Sequence, residues 1–139
     1  MHNCEDIVLS LRDCSCYAYN CCGSATLQMG NLPPGCSYIR GIIYNIALHF
    51  NPRFDYSGVT NTIVFNSLSG GCWGSEHREG CFPFVRGEEC KFYINFNHEE
   101  FYIKLPDGSM VSFPNRLGDV RYNYFDVAGD ARIVGIKIK

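Results

Sequence analysis

From about residue 25 onward, apolar positions come in short runs, many alternating with polar ones, and turn-forming residues separate the runs. Residues 37–50 read as strand, interrupted near Gly41, and residues 62–66 as another. The stretches 90–96 and 101–105 read as a hairpin closed by Asn97-His98-Glu99-Glu100. Pro106-Asp107-Gly108 is a strong turn signal, with a strand over 110–113 after it. Asn31-Leu32-Pro33-Pro34-Gly35 is another turn. Residues 122–127 and 131–138 complete the pattern; in the last of these Val134, Ile136 and Ile138 share one face. Strands this short, with turns this regular, predict an all-β sandwich or barrel. No long amphipathic helix competes and no internal repeat is present. Residues 1–24 differ: they lack a clean period, and residues 7–11 suit one turn of helix as well as a short strand.

Composition adds to this in three places. The chain has 139 residues, which favours one domain and is long enough for a hydrophobic core without staples. Ten Phe and nine Tyr against one Trp agree with a strand-rich chain. A net charge of -2, with no run of one sign, gives no electrostatic case for nucleic acid or an anionic membrane. The first residues carry Glu5 and Asp6, and the apolar stretch Ile7-Val8-Leu9 is too short for a signal peptide. No window approaches a membrane-spanning length. These features predict a cytoplasmic protein whose presence outside cells would need non-classical secretion. The nine cysteines include Cys4, Cys14, Cys16, Cys21 and Cys22 early in the chain. An odd number cannot pair completely within one chain, and free thiols are expected. Cys14-Ser15-Cys16 and Cys21-Cys22 lack the knuckle spacing of a structural zinc site.

The chemistry concentrates in one region. In Leu48-His49-Phe50-Asn51-Pro52-Arg53, alternation sends Leu48 and Phe50 to the core and His49, Asn51 and Arg53 to the other face. Three hydrogen-bonding side chains then stand roughly 6–7 Å apart, close to the spacing of sugar hydroxyls. Pro52 marks a bulge or the end of regular pairing. Asn66 follows on the next strand, where Ile63 and Phe65 can fill the core. In Trp73-Gly74-Ser75-Glu76-His77-Arg78, Glu76 and Arg78 share a face and can pair, and Trp73 follows a Gly-rich loop that lets it stand at the surface. An aromatic face beside converging polar groups suits galactose, whose axial 4-hydroxyl leaves a patch of C–H groups on the opposite face. A lone histidine on a strand is ordinarily a surface or core residue; the company of the other six makes the difference.

The series His49-Phe50-Asn51-Pro52-Arg53, Asn66, Trp73-Gly74-Ser75-Glu76-His77-Arg78 resembles the galectin carbohydrate-recognition motif in order and spacing. Phe82-Pro83-Phe84, Lys104-Leu105-Pro106-Asp107-Gly108 and Phe113-Pro114-Asn115-Arg116-Leu117-Gly118 extend the likeness to vertebrate prototype galectins. It covers residues 46–139 strongly and 25–41 weakly. The resemblance implies a two-sheet antiparallel sandwich of jelly-roll type over residues 25–139, preceded by a Cys-rich extension over 1–24. It implies a lectin, not an enzyme, that binds β-galactosides of the lactose and N-acetyllactosamine type on glycoproteins and glycolipids. It implies no metal and no cofactor, no nucleic acid and no membrane insertion. It also implies a homodimer formed through terminal strands, able to cross-link glycans. By the same resemblance His49, Asn51 and Arg53 would bind the galactose 4-hydroxyl, and Arg53 also the ring oxygen. Asn66 and Glu76 would hold the 6-hydroxyl, Trp73 would stack on the ring, and Arg53, Glu76 and Arg78 would meet the neighbouring glucose or N-acetylglucosamine.

Two departures qualify the likeness. Galectins carry a strand and its loops where only Ile42-Ile43-Tyr44 stand here; roughly a dozen residues are absent, enough for a strand and its turns. That loss would expose an edge beside the His-Asn-Arg strand and shorten the groove, unless residues 1–24 fill the gap. It motivates an alternative reading, a galectin-fold interaction or structural protein without sugar binding. The second departure is Ser57, where prototype galectins often have His, which would weaken contacts to the sugar. A glycosidase reading of Glu76 needs a second carboxylate at about 5–10 Å, and the sequence offers no obvious one.

Overall fold

The computed structural model describes residues 7–13, 24–32, 45–85, 87–129 and 131–138. Eleven strands make up these residues, and no helix occurs among them: β1 (Ile7–Asp13), β2 (Ala25–Asn31), β3 (Asn45–Tyr56), β4 (Val59–Ser69), β5 (Cys72–Trp73), β6 (His77–Glu79), β7 (Glu89–Phe96), β8 (Glu100–Lys104), β9 (Met110–Pro114), β10 (Tyr124–Gly129) and β11 (Ala131–Ile138). They form two antiparallel sheets. One runs β11-β1-β7-β8-β9; the other runs β10-β2-β3-β4, and both β5 and β6 pair with the far edge of β4. Of the sandwich and the barrel that the alternation allows, the fold is the two-sheet antiparallel sandwich that the resemblance implies.

The core lies where the inner faces meet. Alternation puts Phe92, Ile94 and Phe96 of β7 and Phe101 and Ile103 of β8 inside, with Lys91, Tyr93, Tyr102 and Lys104 outside. From the other sheet come Leu27, Leu48, Phe50, Ile63 and Phe65. Phe50 meets Phe65 and Phe92 at 5.4 Å, and Phe65 stacks on Phe113 at 5.5 Å, so the aromatic richness of the chain is spent on bridging the sheets.

Two strands from the first 31 residues occupy interior places. β1 lies between β11 and β7, with Ile7 opposite both Ile138 and Ile94 and buried in the core. The two readings left open for residues 7–11 thus resolve as strand. β2 lies between β10 and β3, with Leu27 opposite Phe50 and Gln28 opposite His49. The expectation of an exposed edge beside the His-Asn-Arg strand is therefore corrected: β2 covers it. Gly30 makes the fit possible at the bulge, because a Cβ there would fall 2.0 Å from the Asn45 carbonyl oxygen.

Pro52 acts on one side only. Regular pairing of β3 with β2 ends at Phe50, and only an isolated Ser24–Arg53 bridge follows. Pairing with β4 continues to Tyr56, and Ser57-Gly58 closes the hairpin as a two-residue turn. The turn proposed at 31–35 and the strand proposed before residue 45 fall largely outside the described residues, as do the five early cysteines and Cys36. Cys72 is exposed and Cys81 and Cys90 are half-buried; Cys72 and Cys81 are free thiols.

Candidate functional site

The second sheet presents its polar face in lateral rows set by register. Asp126, Gln28, His49 and Asn66 are successive neighbours across β10, β2, β3 and β4. One step along the strands, Asn51, Val64 and Arg78 form the next row across β3, β4 and β6. Arg53, opposite Thr62, extends the stripe toward the hairpin. Leu48, Phe50, Ile63 and Phe65 point the other way and are fully buried, as period-two alternation requires.

Each polar side chain is held by a partner. Gln28 Nε2 donates to His49 Nδ1 at 2.8 Å, so the neutral ring carries its proton on Nε2. Burial, assisted by the positive charge of Arg53, lowers the His49 pKa below its usual 6.5, so the imidazole is neutral at physiological pH. Asn51 is buried; its Nδ2 donates to the Ala25 carbonyl at 2.7 Å, and its Oδ1 accepts from Arg53 Nε at 2.9 Å. That contact aims the guanidinium, whose carbon also sits 5.3 Å from the Tyr56 ring centroid. Asn66 Nδ2 donates to the Gly74 carbonyl at 3.0 Å, tying β4 to the loop after Trp73. Glu76 and Arg78 pair at 2.6 Å across an exposed surface. Among the described residues, no buried side-chain nitrogen or oxygen lacks a hydrogen-bond partner.

Trp73 on β5 opposes Leu68 of β4 and is 50% exposed. Its ring meets His49 edge-on, with centroids 5.0 Å apart and planes at 69°. The indole face is thereby left beside a floor of His49, Asn51 and Asn66. All seven residues singled out in the sequence, His49, Asn51, Arg53, Asn66, Trp73, Glu76 and Arg78, belong to this one face or its rim.

One residue that braces this face was not anticipated. Arg116 Nη1 donates to Asn66 Oδ1 at 3.3 Å and to Ser67 Oγ at 3.1 Å, and its Nη2 donates to the Ser75 carbonyl at 2.8 Å. It thereby clamps Asn66 to the loop carrying Glu76. Its guanidinium carbon lies 4.7 Å from the Phe113 ring centroid, and the turn presenting it is anchored by buried Asn115, whose Nδ2 donates to the carbonyls of Asn97 and Asp119. Gly74 leaves room for this arm: a Cβ there would stand 2.8 Å from Arg116 Nη1. The motif Phe113-Pro114-Asn115-Arg116 was visible in the sequence, but its contact with Asn66 was not.

A sheet face with an exposed indole, a neutral imidazole donor and fixed amides and guanidinium groups is built to meet a polyhydroxylated ligand with one apolar face. Comparison with known proteins agrees. The sequence profile of the family described as galactoside-binding lectin matches residues 39–138. A β-galactoside-binding lectin of Electrophorus electricus is 54% identical over 95 residues, covering 68% of this chain and 69% of that protein. Galectin-1 of Ovis aries is 42% identical over 128 residues, covering 81% of this chain and 94% of the relative. Among solved structures, congerin II liganded by lactose and MES superposes with a TM-score of 0.82 at 29% identity, covering 97% of this chain and 90% of that one. CG-16, a homodimeric agglutinin from chicken liver, gives 0.80 at 32% identity, with the same two coverages of 97% and 90%.

Proposed function

The chain belongs to the galactoside-binding lectins, the galectins, and from that premise we propose that it binds β-galactosides on the polar face of β3, β4 and β6. The observation that carries this reading is the convergence of half-exposed Trp73 with His49, Asn51 and Asn66, each locked by a partner before any ligand arrives. The galactose ring stacks its C–H patch on Trp73. Its axial 4-hydroxyl meets His49 Nε2–H, Asn51 and Arg53, its 6-hydroxyl meets Asn66 and Glu76, and the following glucose or N-acetylglucosamine lies against Arg53, Glu76 and Arg78. Pre-positioning spares the ordering cost that a shallow site cannot otherwise offset. The short connection at 42–44 favours a non-sugar role only if β3 is an edge, and β2 occupies that place.

The protein acts by binding alone. Glu76 immediately precedes β6, and β2, β3 and β4 separate that strand from Asp126 on β10; a glycosidase pair stands about 5–10 Å apart. Glycoproteins and glycolipids that display galactose are the natural partners, bound in the cytoplasm or, after non-classical export, outside the cell. A homodimer makes the binding divalent and able to cross-link glycans. Its support is β11, the outer strand of its sheet, with Ile133 41%, Val134 46% and Ile136 48% exposed. The homodimeric description of CG-16 points the same way.

Retention of the full chain on immobilised lactose under reducing conditions tests the sugar reading. Elution by free lactose, with retention lost in Trp73→Ala, is expected. A folded wild-type chain that passes straight through would leave the family and remove the ligand.

A further inference from the structure

The outer face of the sheet β11-β1-β7-β8-β9 lies on the side of the sandwich away from the proposed galactose face. Register assembles one continuous row across all five of its strands: Lys137, Val8, Tyr93, Lys104 and Met110. On one side of this row stand Gly135, Ser10 and Lys91, and on the other Asn95, Tyr102 and Ser112. The chain has four lysines, and three of them meet here from distant parts of the sequence. All three are exposed, and none takes part in an ion pair among the described residues. Lys104 Nζ sits 5.7 Å from the centroid of the Tyr93 ring. Tyr93, Tyr102 and Met110 stay exposed beside these cations.

Spacing decides what such a face can hold. Strands about 4.8 Å apart put the backbone positions of Lys137 and Lys104 roughly 14 Å from each other, and those of Lys91 and Lys104 about 8 Å. Positions this far apart suit charges repeated along a chain better than one small anion. The described carboxylates at outward positions, Glu89 and Glu100, stand toward opposite ends of the strands, outside the central row. A bilayer covering the face would bring both against its own phosphates. A single chain laid across the strands meets the lysines and passes between the carboxylates. Tyrosine rings offer faces for the C–H groups of sugars, and lysine offers a compact charge to a sulfate.

We propose that this outer face binds a linear sulfated polysaccharide, with Lys91, Lys104 and Lys137 meeting its sulfates and Tyr93 and Tyr102 its sugar rings. The surface is separate from the galactose face, so one chain holds a galactoside and a sulfated polymer together.

The test titrates the full reduced chain with a heparin octasaccharide by calorimetry, with and without saturating lactose. The variants are Lys104→Gln, the triple Lys91→Gln/Lys104→Gln/Lys137→Gln, and Arg121→Gln, which removes an exposed positive charge outside this sheet. Wild type is expected to bind equally with or without lactose, and to lose affinity about ten-fold as salt rises from about 50 to 200 mM, through counterion release from the polyanion. Lys104→Gln should weaken binding about three-fold and the triple about ten-fold or more. Arg121→Gln should stay near wild type, and the triple should keep wild-type thermal stability and lactose affinity. No octasaccharide binding by a folded wild type, displacement by lactose, or binding that survives the triple substitution would overturn the proposal. So would equal losses in Lys104→Gln and Arg121→Gln, which would reduce the effect to net charge. Capture by phosphatidylcholine vesicles containing phosphatidylserine, without octasaccharide binding, would give the face to a lipid surface and overturn it equally.

Discussion

The face formed by β3, β4 and β6 and the strand β11 both lie open to solvent, yet they are open in opposite ways. On the first, polar groups are paired among themselves before a ligand comes: Asn51 with Ala25 and Arg53, Asn66 with Gly74 and Arg116, His49 with Gln28. On β11, apolar side chains stand exposed with no strand beyond them among the described residues. Hydroxyl ligands need groups of fixed direction, which a satisfied network supplies. An apolar edge gains only by being covered, which calls for a large partner surface. On the proposed reading, the first region takes the ligand and the second a partner copy.

That division can be broken most severely from below. Phe65 is fully buried, stacks on Phe113, and lies next to Asn66 in the chain. Phe65→Ala should cost about 3–5 kcal/mol in urea denaturation and take lactose binding and dimerisation down together. Trp73→Ala separates them: lactose affinity should fall by about 2 kcal/mol, roughly thirty-fold. Stability should stay within about 0.5 kcal/mol, since half the ring is exposed. Arg116→Met should lower lactose affinity by about 1–1.5 kcal/mol through the release of Asn66 and Ser75, although Arg116 is assigned no sugar contact. Calorimetry checks both.

Ile136→Lys addresses the other region. Light scattering should report a monomer, with lactose affinity per site unchanged and cross-linking of galactose-bearing vesicles lost. A dimer that survives would place the interface elsewhere.

The smallest effect is that of pH on His49. Its pKa is lower folded than unfolded, so the unfolded chain binds the proton more readily. The stability tied to the neutral ring is fully present above the unfolded value of 6.5 and is lost as pH falls through the depressed folded value. Lactose affinity should accordingly be flat from pH 8 to 6.5 and decline below, with His49→Gln removing much of the pH dependence.

Legibility in the sequence followed the range of the interactions. β3, β4 and the β7–β8 hairpin were readable because local alternation and local turns determine them. That the seven candidate residues would share one face was readable because six of them sit in two short motifs whose periodicity fixes their face, with Asn66 on the strand between. The seats of β1 and β2 were not, since nothing within Ile7–Asp13 or Ala25–Asn31 says which distant strand each will meet. Arg116 was missed for the same reason: its partner Asn66 lies 50 residues away, and the contact exists only because Asn115 folds the turn and Gly74 leaves space. Alternation also put Val134 and Ile136 on one face of β11, but it could not foresee the bulge opposite Ser10 and Leu11, where Val134 drops out of the pairing and strict alternation breaks, nor that Ile133, Val134 and Ile136 all stand half-exposed in a single chain.

The most direct measurement uses Trp73, the one tryptophan of the chain, as its own reporter. Lactose and cellobiose differ only in the configuration at carbon 4 of the non-reducing sugar. Titrating each against the full reduced chain and following indole fluorescence asks whether His49, Asn51 and Arg53 read an axial 4-hydroxyl. A saturable change with lactose, at one site per chain, and none with cellobiose is expected. Equal responses to both sugars, or no response to either from a folded chain, would contradict a β-galactoside site on this face.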